Sequence, residues 1–286
     1  MEKMEYQEFA HRYEKRMTMV DKSGIVIDSG SNLSAQFQAY IRMLDKFPIM
    51  SKESFEALSL LSSEDVDIGK VERIISKDPA MTVEVIKTSN RGLVNPTNVL
   101  RMALIRIGII RTMSVIISHG TFSSLPDDIR TMIGTHYNLS AKYGFLLSKR
   151  LGIDSDIVQT ASMLHDIGVG LFLHFLQRNG MPLVIPDLSI MEKQMFGFSH
   201  AEAGAAYLKI SFFPKEVTEL VRIHADPIFT LTRPAICVRL AELMAIRESP
   251  YKYGKMKESD INEAMSALGL KNEDIENIVE ATNTEE

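Results

Sequence analysis

Cysteine is nearly absent: Cys237 is the single thiol in 286 residues. That rules out an internal disulfide framework and any thiolate zinc finger, and it fits a reducing compartment. Long hydrophobic runs are missing too. No stretch of about 18 apolar residues occurs, so the sequence offers no membrane-spanning helix. The first residues, Met1-Glu2-Lys3-Met4-Glu5, are too charged to open a secretory signal. Basic charge is not in excess. A net charge of −5 and a pI near 5.9 leave no field to draw in nucleic acid or an anionic membrane. Tryptophan, internal repeats and low-complexity tracts are also lacking. Together these absences point to a cytoplasmic globular protein with neither a membrane nor a nucleic-acid partner.

What is present is ordinary for such a protein: 45% apolar and 24% charged residues. The 17 methionines read as adaptable core filler. Residues 1–45 form an N-terminal extension. Tyr6, Phe9 and Tyr13 have helical spacing there, and two β-prone runs around Gly24 read as a small hairpin near residues 18–28. Phe47-Pro48 breaks the pattern. Residues 46–130 then read as a helical half. Helices are predicted over Ser51–Leu61, after Asp67, and after Asp78, where an N-cap is followed by Pro79 at the first helical position. The Ile-rich run from Val99 to Ile117 is too long for a strand and reads as helix with a break at Gly108. Residues 131–248 hold at least five helices. Ser199 and Glu202 make a capping box for one, and Pro214 opens another. Residues 249–286 read as surface helix and a frayed tail. The fold class is therefore all-α.

Candidate chemistry centres on Met163-Leu164-His165-Asp166-Ile167-Gly168. Ile157, Ala161, Leu164 and Gly168 mark one apolar helix face, with His165 and Asp166 on its flank. A carboxylate in such surroundings needs a partner. Four more helices each present a metal-capable group on an apolar side. His136 is read as opening a helix with Leu139 and Tyr143. His200 starts its capped helix, where the helix dipole favours a neutral ring. His224 shares a face with Val217 and Val221, and Glu242 with Ala235 and Val238. Each has a bland alternative: a hydrogen-bonded core histidine, or pairing of Glu242 with Arg239 one turn away. Imidazoles with carboxylates suit Fe, Mn, Zn, Co or Ni better than Ca or Mg. His11, His119 and His174 fall outside the set and read as structural or surface residues.

The order His136, His165-Asp166, His200, His224, Glu242 resembles the ligand order of the HD superfamily of metal-dependent phosphohydrolases. The closer resemblance is to its HDOD branch. It rests on Phe47-Pro48, the Ser76–Ala80 stretch, Ser89-Asn90, Leu104 with Ile107 and Gly108, Leu164–Gly168, Gly197–Gly204 and His224–Pro227. The resemblance implies a helical subdomain joined to an HD-type helical bundle, and a bacterial signal-transduction role. Partners would be other signalling proteins, with a nucleotide or phosphate as ligand. Three departures bear on activity. Val169 stands where the enzymes have lysine, Ala225 replaces a second adjacent histidine, and Glu242 replaces an aspartate. The first reading is therefore a non-catalytic regulatory module whose pocket holds a metal. The alternative is a metal-dependent phosphohydrolase with Asp166 as the catalytic residue. The third is an interaction scaffold without metal.

Overall fold

The structure is a computed structural model that describes residues 37, 39–41, 50–90, 95–180, 183, 192, 197–250 and 256–283. Twelve α-helices with defined bounds, a 3-10 turn at Ile228–Thr230 and no strand occur among them, and residues 37 and 39–41 are helical as well. The hairpin expected near residues 18–28 and the break at Phe47-Pro48 lie outside the described residues.

The first helices start where side chains can satisfy free backbone N–H groups. Ser51 caps α1 (Lys52–Leu61) by accepting from Ser54 N–H, and Asp67 caps α2 (Ile68–Ile75) through Lys70 N–H. Asp78 accepts from Met81 N–H at 3.0 Å at the head of α3 (Pro79–Asn90). Asn90 then pins the following loop, exchanging two hydrogen bonds with the Thr97 backbone.

The long helix α4 (Leu100–Phe122) contains the expected break. Gly108 has φ 75° and ψ 176°, a region open essentially to glycine alone. Before the break, Arg101 reaches Glu72 of α2. After it, Arg111 reaches Asp156 at the start of α6.

Eight helices follow: α5 (Asp127–Leu151), α6 (Ser155–Leu164), α7 (Ile167–Arg178), α8 (His200–Ile210), α9 (Lys215–Ile223), α10 (Arg233–Glu248), α11 (Glu258–Leu268) and α12 (Asn272–Asn283). α5 is the hub, packing most extensively on α6 and α10. α7 packs on α8, α8 on α9, and α9 returns to α6. This closes a bundle around Leu147, Val158, Ala161, Leu164, Ile167, Val217, Val221, Val238 and Ala241, all fully buried. Ahead of α1, helical Phe37 packs on α7, its ring centroid 4.6 Å from that of Phe172. Tyr40 Oη and His174 Nδ1 share a hydrogen bond of 2.9 Å. His119 of α4 pairs with Asp78, tying α4 to the head of α3.

Candidate metal centre

The His165-Asp166 pair does not lie within one helix, as the apolar face from Ile157 to Gly168 suggested. α6 ends at Leu164, and Asp166, at φ −100° and ψ 17°, is the cap position of α7. Its carboxylate makes no capping bond. The turn takes Asp166 out of helical register, so its side chain faces the histidines of the neighbouring helices. A second correction concerns His136. It sits in the middle of α5, not at its start, because Pro126 and the acidic first turn Asp127-Asp128 begin the helix earlier.

The two carboxylate oxygens of Asp166 serve different partners. Oδ2 lies 3.3 Å from His165 Nε2 and 3.7 Å from His136 Nε2. Oδ1 lies 3.2 Å from His200 Nε2 and 3.7 Å from His224 Nε2. Within each histidine pair the Nε2 atoms are close, 3.1 Å for His136–His165 and 3.2 Å for His200–His224. Two three-ligand groups result, His136–His165–Asp166 and Asp166–His200–His224, joined by the shared aspartate. His136, His165 and His224 are fully buried, and Asp166 is 5% exposed. Glu242 of α10 lies beside these groups and in neither. Its Oε2 accepts from Arg239 Nη1 at 2.8 Å, the pairing that one-turn spacing permits.

The far sides of the rings set their tautomers. His165 Nδ1–H donates to the Ser162 carbonyl at 2.8 Å and His224 Nδ1–H to the Val221 carbonyl at 2.7 Å. His200 Nδ1–H donates to Glu192, 3.0 Å from each carboxylate oxygen. In a neutral ring held this way, Nε2 carries the lone pair. Lone pairs about 3 Å apart repel unless a proton or a cation stands between them. The donor set therefore fits a transition-metal dication. Glu192 has no counterpart among the residues expected from sequence. It lies eight positions before His200 in a stretch without readable periodicity, and a glutamate there looks like any surface charge.

Protons compete for the same atoms. Burial works against a charged His200 ring, but Asp166 and Glu192 outweigh it and raise the ring to about 9. Those carboxylates thus override the helix dipole, which alone would keep the ring neutral. For His165 burial is likewise overcome, chiefly by Asp166. His136 goes the other way: burial and then the neighbouring His165 lower it to about 4. Burial also lowers His224. Asp166 stays ionised despite burial because His165 and His200 hold it down. The raised rings stabilise the fold below the ordinary histidine range near 6.5, and that contribution fades as pH rises, for His200 through about 9. The lowered rings refuse a proton that the unfolded chain accepts, so stability also falls as pH drops from about 6.5 toward 4. In the presence of a chelator, thermal unfolding should therefore show greatest stability between about pH 6 and 7. A melting temperature still rising steadily to pH 9 would contradict these proton positions.

The family model for the HDOD domain matches residues 47–227. No protein of curated function gives a match. Among solved structures, one similar chain is an HDOD domain protein of unknown function from Geobacter sulfurreducens. It is 18% identical with a TM-score of 0.59, over 90% of this chain and 95% of that one. Another, proposed to be a metal-dependent phosphohydrolase from Shewanella amazonensis SB2B, is 18% identical with a TM-score of 0.51, covering 84% of this chain and 99% of the other. A third, proposed to act in signal transduction in Marinobacter aquaeolei VT8, is 15% identical with a TM-score of 0.56, covering 95% and 66%. At these identities the likeness is one of fold. The family match spans well over half of the sequence, and with the helical architecture it means that this chain belongs to the HDOD family.

Proposed function

We propose that this protein is a non-catalytic signal-transduction module of the bacterial cytoplasm whose His/Asp centre holds one or two transition-metal ions. The observation that carries the reading is the placement of Asp166, one oxygen toward each histidine pair. His136, His165, Asp166, His200 and His224 would be the ligands. Glu242 supplies negative charge at the edge of the cluster while Arg239 holds it. Three features favour regulation over turnover. The centre is buried, with only the His200 side chain, at 17%, more than a tenth exposed among its five groups. Val169 is 2% exposed in the core, so that position offers no cation to an anionic substrate. Ala225 adds no ligand beside His224. The partners of such a module are other signalling proteins, with a nucleotide or phosphate as an effector. The described residues contain no helix long and apolar enough to cross a membrane.

The second reading is a metal-dependent phosphohydrolase, favoured by the bridging arrangement itself. A bound dication would supply Lewis-acid polarisation and an acidified water. In that reading Asp166 holds metal, and His224 orients a phosphate or shares in a second metal group. Two measurements separate the possibilities. Metal analysis of protein purified without chelator should find at least one equivalent of a transition metal. Assays over nucleotides and phosphodiesters with added Mn should find no turnover. Hydrolysis abolished by Asp166→Asn would establish the enzyme, and metal-free protein with unaltered stability in His165→Ala would leave only the scaffold.

A further inference from the structure

Two of the imidazoles, His165 and His224, lean on main-chain carbonyls. His200 leans instead on a carboxylate that is itself 1% exposed. Glu192 does more than accept from the ring. Its Oε2 also takes the backbone N–H of His200 at 2.8 Å, so one carboxylate grips both the ring and the main chain at the start of α8. A carboxylate behind a ligating histidine fixes the ring's tautomer and orientation and makes the inner nitrogen a better donor to a cation. A carbonyl behind the ring fixes the tautomer with less negative charge. The two three-ligand groups present the same donor types, each having two imidazoles and one oxygen of Asp166.

We infer that Glu192 is a positioning residue for His200, and that it makes Asp166–His200–His224 the tighter of the two metal groups. The inference rests on the metal reading above. It gives the centre an order of filling: the first dication enters between His200 and His224, and the second between His136 and His165. It also ties that first affinity to a residue outside the ligand set.

The test is calorimetric titration of Zn2+ into the chelator-stripped full chain, for the wild type, Glu192→Gln and Glu192→Asp. Glutamine keeps the shape but offers one acceptor oxygen to two donors. The wild type should show two unequal binding events. Glu192→Gln should weaken the tighter one roughly 10–100-fold and leave the weaker in place. Glu192→Asp, which keeps the charge, should recover part of the loss. Nitrogen-15 spectra of the imidazoles should show that His200 in Glu192→Gln loses its fixed Nδ1–H tautomer while His165 and His224 keep theirs. Two results overturn the inference while leaving the metal reading intact. One is an unchanged tighter event. The other is equal weakening of both events with a lower melting temperature in chelator, which would mark a structural role alone. A wild type that takes up no Zn2+ would remove the metal reading itself, and this inference with it.

Discussion

Replacing Asp166 with alanine is expected to eliminate both metal-binding events at once and to lower the stability of the stripped protein. Among the described residues, the carboxylate is the sole anion lying between the two histidine pairs. It is also the leading counter-charge for the raised rings of His165 and His200. Without it the four imidazoles keep their mutual repulsion and lose their common partner. Removing one member of a buried charge pair costs about 3–5 kcal/mol. At roughly 2–4 °C per kcal/mol, the melting temperature should fall by about 10 °C. The stability maximum near neutral pH should flatten as well, because His165 and His200 lose the largest charge that raises them. Asp166→Asn serves as the companion variant, since it preserves shape and removes only charge. Retention of either metal event by Asp166→Ala would contradict the shared-aspartate arrangement.

The second large effect is steric. Gly168 on α7 faces the first turn of α8 with no side chain between the backbones. A Cβ at Gly168 would overlap the carbonyl oxygen of His200 and lie 2.8 Å from Gly204 N. These are main-chain atoms of a capped helix, so they cannot step aside as a flexible side chain would. Gly168→Ala must push the start of α8 outward, and His200 with it. Overpacking of this kind typically costs about 1–3 kcal/mol. We expect the variant to melt several degrees lower and to lose the His200–His224 event while keeping the His136–His165 event, although every ligand is still present. Gly134→Ala in α5 is the control. An added methyl meets nothing within 4 Å there, and the exchange should be neutral or stabilising by about 0.5–1 kcal/mol. If both variants behave alike, the close approach of α7 and α8 is not what sets the position of His200.

Much of this centre was legible in the sequence because its ligands sit on helices with readable apolar faces. His136 and His224 could each be placed on an inward side from spacing alone, His200 at the head of its capped helix, and the apolar run through Leu164 marks His165-Asp166 as internal. Caps were legible for the same local reason: Ser51, Asp67, Asp78 and the Ser199–Glu202 box act within a few residues of themselves. What spacing could not reveal was the turn at Asp166. A helix and a helix–turn–helix give the same apolar pattern over so short a span, yet only the turn sends the two oxygens to opposite histidine pairs. Glu192 was hidden because its partner is eight residues away across a sequence without readable periodicity. The protonation of His200 was misjudged for a related reason: the dipole is a property of its own helix, whereas the charges that outweigh it come from elsewhere in the chain.

The interruption at Gly108 has a bearing on how the molecule opens. A continuous 23-residue helix would fray from its ends and carry strain along its whole length. With a joint in the middle, its two arms can belong to separate cooperative units, one held to α2 through Arg101 and the other to α6 through Arg111. Amide hydrogens before residue 108 should then exchange through a local event that spares those after it. The joint would let the amino-terminal helices loosen while the imidazole cluster stays assembled.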